Sequence, residues 1–143
     1  MRGALITRTS DLTGVSWPLL PVPFEQAVYD TDSFFAPAAP GRFTIPAGVA
    51  FVELLGGVEL PASASAGTLF VQVYKNGDVI YAGLTAMRNG TAGHPENVAM
   101  AKTPPLPVVA GDYFELRANV SGLGNPTSVL AGNRTFFSIL ALA

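Results

Sequence analysis

The sequence has no cysteine and a single histidine among 143 residues. Without thiols, neither a disulfide framework nor a thiolate metal centre is open to it, so packing and hydrogen bonding must hold the fold. Charge is scarce too: Asp, Glu, Lys and Arg make up 13% of the chain, against about 25% in ordinary soluble domains. The net charge is −2 and the basic residues stand singly. Such a scattered set leaves no electrostatic footprint for a phosphate backbone, and nucleic-acid binding is not expected. No apolar run reaches the roughly 18 residues a spanning helix requires, because Gly and Pro interrupt every long one, so membrane insertion is not expected either.

What is abundant is apolar surface. Hydrophobic residues make up 49% of the chain and the mean hydropathy is +0.38. At 14.9 kDa the chain is the size of one domain, and a domain of that length buries about two thirds of its unfolded surface. So few charges coat a lone sphere poorly. A closed homo-oligomer hides the excess, since charge depletion is what interface cores show; a monomer coated with Ser, Thr, Asn and Gly is the alternative. The opening MRGALITRTSDLTG falls short of the apolar core of a secretory signal, which predicts a chain made and assembled in a cytoplasm.

The pattern is that of strands. Thr68 to Tyr81, TLFVQVYKNGDVIY, places two β-rich runs on either side of Asn76-Gly77, the dipeptide suited to a type I′ hairpin turn. Gly111-Asp112 then opens YFELRANV, in which Phe114, Leu116, Ala118 and Val120 alternate with Tyr113, Glu115, Arg117 and Asn119. RFTI, AFVELL, ENVAMA, SVL and FFSILAL read as further strands, with turn chemistry between them that includes Pro46 to Gly48, Gly56-Gly57, Gly122 to Pro126 and Gly132-Asn133. No run carries a helical stripe. An all-β antiparallel sandwich follows. Pro18, Pro21 and Pro23 exclude a helix near the start, so residues 1–21 read as an extended N-terminal arm before a domain over 22–143. In the closing run Phe137, Ile139 and Ala141 interleave with Phe136, Leu140 and Leu142. Two apolar faces predict a central strand, its second face covered by neighbouring subunits or by the arm.

Little in the inventory supports chemistry. His94 stands alone in RNGTAGHPEN, where a metal site or a catalytic triad needs several convergent groups. Asp30 and Asp32 in YDTD offer two oxygen donors, far short of the six to eight that calcium takes, and read as turn residues bonding their own backbone. Asp112 likewise reads as shaping a turn. No nucleophile elbow, phosphate loop or dinucleotide fingerprint is present, so neither an enzyme nor a cofactor is expected. Sequons at Asn89, Asn119 and Asn133 read as coincidental. The aromatics spread over nearly every strand, and in a sandwich only one alternating set fills the core.

The order of YDTDSFF, GRFTIPAGVAFVELLGGVEL, VQVYKNGDVI, VVAGDYFELRANVSG and TFFSILAL resembles the complement globular head and the wider tumour-necrosis-factor-like jelly-roll superfamily. The likeness spans about residues 22–143. It also looks like the short members found in tailed phages, in which a T-R-T-x-D-L-T opening and Y-D-T-D precede the jelly roll. The resemblance implies a jelly roll of about ten strands forming a homotrimer, with the first, third, sixth and last strands turned to the threefold axis. On this chain that implies Phe51, Tyr113, Phe136 and Phe137 at the trimer interface. It further implies a virion structural protein that decorates or cements a capsid or forms a head spike, with the major capsid protein or another virion protein as partner. The arm, through Leu5, Ile6, Trp17, Leu19 and Leu20, is expected to anchor it, and the loops Arg88 to Asn97 and Ser121 to Asn125 to face outward. The alternative is a tail-fibre tip whose loops bind a host surface receptor, glycan or protein.

Overall fold

From Tyr113 to Val120 the side chains alternate between half-buried and buried, with Phe114, Leu116, Ala118 and Val120 pointing inward. A period of two is strand geometry, and it organises the chain. The computed structural model describes residues 1–16, 18–61, 67–82, 86–88, 97–122 and 127–142. Among them run β1 (Arg2–Thr7), β2 (Leu12–Val15), β3 (Pro18–Pro21), β4 (Gln26–Asp30), β5 (Arg42–Thr44), β6 (Phe51–Leu60), β7 (Gly67–Lys75), β8 (Asp78–Ala82), β9 (Ala86–Arg88), β10 (Asn97–Lys102), β11 (Leu106–Pro107), β12 (Tyr113–Gly122), β13 (Thr127–Val129) and β14 (Phe136–Leu142), with no helix. Trp17, His94 and most of the two loops expected to face outward lie outside the described residues.

Among the described residues all strand pairings are antiparallel and build two six-stranded sheets. The first runs β10-β6-β14-β1-β4 with β11 beside β6; the second runs β3-β12-β7-β8 with β5 on β12 and β9 on β7; β2 and β13 form a separate ribbon. The inner faces of the two sheets meet in one apolar cluster. Phe137 of β14 stacks on Phe43 of β5 with ring centroids 4.8 Å apart and lies 6.2 Å from Phe24, so one ring from the last strand ties the sheets together. At the expected hairpin, Asn76 and Gly77 adopt φ of 53° and 89°, the pair of positive angles a type I′ turn needs. The last strand is central as expected, flanked by β6 and β1.

Two expectations are corrected. Residues 1–21 are not an arm: β1 lies between β14 and β4, β2 pairs β13, and β3 pairs β12. The apolar Ala4 and Ile6 are fully buried, and the prolines of β3 are tolerated because that strand lies at a sheet edge, where a missing N–H breaks no ladder. Gly56-Gly57 is not a turn either, since β6 runs straight through it. A Cβ on Gly56 would lie 2.6 Å from Leu116 Cδ1 of the facing sheet, and one on Gly57 2.9 Å from Phe136 Cε1. The two glycines make room for large neighbours, one on each face of the sheet, which is the other use of glycine in a strand.

Candidate interaction surface

Alternation leaves one side of each sheet outside the core. On the first sheet that outer side is built from strands already apolar on both faces. Across β10, β6, β14 and β1 one row places Met100, Gly57, Phe136 and Thr7 side by side, and the next places Lys102, Leu55, Ser138 and Leu5, continued by Tyr29 of β4. Leu140 and Leu142 extend β14 beyond them, with Phe51 opposite Leu142. The Ser138 hydroxyl donates to the Leu55 carbonyl at 3.1 Å, so the polar side chain in the middle of the face is satisfied locally.

Several of these groups are wet. Phe51 is 46% exposed, Val28 58% and Met100 37%. Two open grooves of about 400 and 340 Å³ lie on either side of Phe136, one lined by Val98, Met100 and Arg134, the other by Leu5, Thr7 and Val28, with Asn133 shared. Charge is confined to a few positions on this face: Lys102, Glu53 of β6, and Glu59, which pairs with Arg134 at 3.7 Å. An apolar sheet face grooved around an aromatic ring, with little charge, has the make-up of the buried part of an oligomer interface.

The residues expected at a trimer interface divide. Phe51 and Phe136 belong to this face. Phe137 does not: it is fully buried inside the single chain, because its neighbour Phe136 takes the outward position and alternation sends Phe137 to the core. Tyr113 does not either. It stands on the outer side of the second sheet, opposite Thr44, with the Arg42 guanidinium 4.9 Å from its ring centroid. Of the expected anchoring residues, Leu5 lies on the apolar face, Ile6 is fully buried in the core, Leu19 and Leu20 sit on the edge strand β3, and Trp17 lies outside the described residues. Leu55, Val98, Met100 and Val28 were not singled out by the sequence; only the sheet order brings their strands beside β14.

Five of the acidic residues, Asp11, Glu25, Asp30, Asp32 and Asp112, hold hydrogen bonds or ion pairs within the fold. Asp30 Oδ1 accepts from the Phe34 amide at 3.0 Å and its Oδ2 from the Phe35 amide at 2.9 Å, shaping the turn after β4 as expected. Asp32 pairs with Arg2 at 3.1 Å, and bonds from Arg2 and Thr31 hold its carboxyl below the usual carboxylate range. Asp112 takes the Lys75 ammonium at 2.8 Å, the Asn76 side-chain amide at 2.8 Å and the Val109 N–H at 3.0 Å, which together hold its pKa down at about 2. It thus staples the β7–β8 hairpin tip to the turn that opens β12. Glu25 accepts from the hydroxyls of Thr9 and Ser10 and from the Thr9 amide, and with Arg8 beside it at 2.7 Å its pKa falls to about 2. The Asp11 carboxylate accepts from the Ala131 amide at 2.7 Å. The TRTSD segment is therefore a junction that fixes β1, β4 and the β13–β14 connection. Among the described residues, no group of three His, Asp or Glu side chains converges as a metal site would require.

Solved structures share this arrangement. Murine APRIL at pH 5.0 superposes with a TM-score of 0.62 at 11% identity, covering 98% of both chains. Eiger TNF from S. frugiperda gives 0.61 at 12% identity over 99% of this chain and 92% of that one. The fold is the tumour-necrosis-factor-like jelly roll. At such identities the likeness is one of architecture, carried by strand order and alternation rather than by shared side chains. No family model matches the sequence, and no curated protein matches it. Within the jelly roll, the apolar outer side of the first sheet is the feature of this chain that its own core leaves unused.

Proposed function

We propose that this protein is a homotrimeric virion structural protein of a tailed phage or phage-like particle, which decorates the capsid or forms a head spike. The observation that carries self-association is the outer side of the first sheet, where Phe51, Met100, Phe136 and Leu5 present apolar surface around two grooves. Burying a large apolar side chain is worth about 1.5–3 kcal/mol, so a handful of these residues covered in each copy supplies a stable assembly. The phage placement is supported by the likeness of the T-R-T-x-D-L-T opening and Y-D-T-D to short phage jelly rolls. Their side chains fix the framework around Glu25 and Asp30. With β1 inside a sheet, capsid attachment falls to surfaces outside the apolar face. Cementing then acts by mass action, since a decorating protein that binds only the assembled lattice stabilises it.

Two measurements test this. Sedimentation equilibrium is expected to give three times the 14.9 kDa chain mass. The protein, mixed separately with undecorated capsids and with intact host cells, is expected to co-sediment with the capsids. A stable monomer at micromolar concentration removes the self-association, and binding to cells alone removes the capsid assignment in favour of a receptor-binding tip.

A further inference from the structure

The outer side of the second sheet has a different chemistry. There β7 and β12 set Thr68 beside Ser121, Phe70 beside Asn119, Gln72 beside Arg117 and Tyr74 beside Glu115. In this otherwise polar array the ring of Phe70 is 41% exposed. It stands in an open groove of about 210 Å³ walled by Leu19, Gln72 and Asn119. Leu19 holds that wall at a φ of 70°, a conformation costly for a leucine. The side-chain amides of Gln72 and Asn119 take no hydrogen-bond partner among the described residues, whereas Arg117 is fixed, donating to Glu115 at 2.6 and 2.9 Å with its guanidinium 4.2 Å from the Tyr74 ring centroid.

We propose that this groove is a binding site for a neutral pyranose, a single residue of an uncharged glycan. An aromatic face matches the apolar C–H face of a sugar ring. Two carboxamides, each with two donors and one acceptor oxygen, match vicinal hydroxyls that both donate and accept. The groups facing the groove carry no free charge, because the neighbouring Arg117 and Glu115 neutralise one another, which selects a neutral ligand over an acidic one. An apolar platform with a few convergent polar groups is the usual design of a small-ligand site. The site lies on the sheet opposite the self-association face, so it stays open in a trimer and does not depend on the phage reading.

Saturation-transfer NMR on the full chain, with methyl glycosides of glucose, galactose, mannose and N-acetylglucosamine as probes, tests the site. At least one probe is expected to receive saturation, strongest on the protons of one ring face. Phe70→Ala is expected to weaken that binding at least tenfold while leaving solution mass and melting temperature unchanged, and Asn119→Ala and Gln72→Ala to weaken it several-fold. Phe70→Trp, which keeps the platform, is expected to retain it. Absence of transfer to every probe at millimolar concentration overturns the proposal, as does transfer that Phe70→Ala leaves intact. Loss of capsid binding in Phe70→Ala without transfer to any sugar also overturns it and makes the groove a protein contact.

Discussion

Asp112 shows how much one residue can hold. Its buried carboxylate joins half-buried Lys75, exposed Asn76 and the Val109 amide, and Asn76 Oδ1 in turn accepts from the Tyr113 amide at 2.9 Å. Removing the charge leaves the Lys75 ammonium with the Pro107 carbonyl at 3.0 Å but without its ion pair. Asp112→Asn is expected to cost about 2 kcal/mol at pH 7 by urea denaturation, the scale of a lost charged hydrogen bond. Because the folded-state pKa lies at about 2, below the ordinary value of 3.8, this stabilisation is fully present above about pH 4 and lost as pH falls toward 2. The gap between wild type and Asp112→Asn should therefore narrow over that window; a gap of unchanged size at pH 2 would refute the ion-paired role. Phe137 works at the same scale through packing alone. Phe137→Ala is expected to cost about 3–5 kcal/mol, measured in the same way, since the ring fills the space between Phe43 and Phe24.

At the scale of elements, glycine does two different jobs. Gly77 sits at φ 89°, and a Cβ there would make only an ordinary contact, 3.5 Å from the Tyr113 hydroxyl, so Gly77→Ala is strained by backbone conformation and is expected to cost about 1–2 kcal/mol. Gly56 has ordinary strand angles but faces Leu116 of the opposite sheet. Gly56→Ala is an overpacking change of about 1–3 kcal/mol, and shortening the opposing side chain with Leu116→Ala is expected to rescue part of that loss in a double-mutant cycle. No such coupling is expected between Gly77→Ala and Leu116→Ala. Additive costs for the first pair would mean that β6 tolerates a side chain there by shifting instead.

For the molecule as a whole, the decisive feature is an apolar sheet face that stays partly exposed among the described residues. Phe51→Glu combined with Met100→Glu changes two exposed positions on it and leaves the core untouched. The double variant is expected to keep its near-ultraviolet circular dichroism and to sediment at the mass of one chain rather than three. If it still sediments as three copies, assembly uses another surface. A fold class shared with murine APRIL and Eiger TNF at 11–12% identity underlines that the sandwich is set by pattern. What the protein does is carried by which side chains stand outside it.

Strand positions, the hairpin turn and the central place of the last strand were legible because they depend on period-two alternation and on turn residues close together in sequence. YFELRANV, TLFVQVYKNGDVIY and FFSILAL each carry that information locally. The face of each strand was less so: Phe136 and Phe137 are equivalent as letters, and only the register of β14 against β6 sends one outward and the other to the core. The glycines at 56 and 57 carried a turn signal, yet the reason for them lies 60 and 79 positions away, in Leu116 and Phe136. Residues 1–21 looked separate because their prolines break local pattern, while their pairing partners Ala141, Val129 and Arg117 lie near the other end of the chain. The sequence by itself determined that this chain is a β-sandwich with more apolar surface than one core uses. The tertiary structure alone decided where that surface gathers, because a face is assembled across strands that are neighbours in space and distant in sequence.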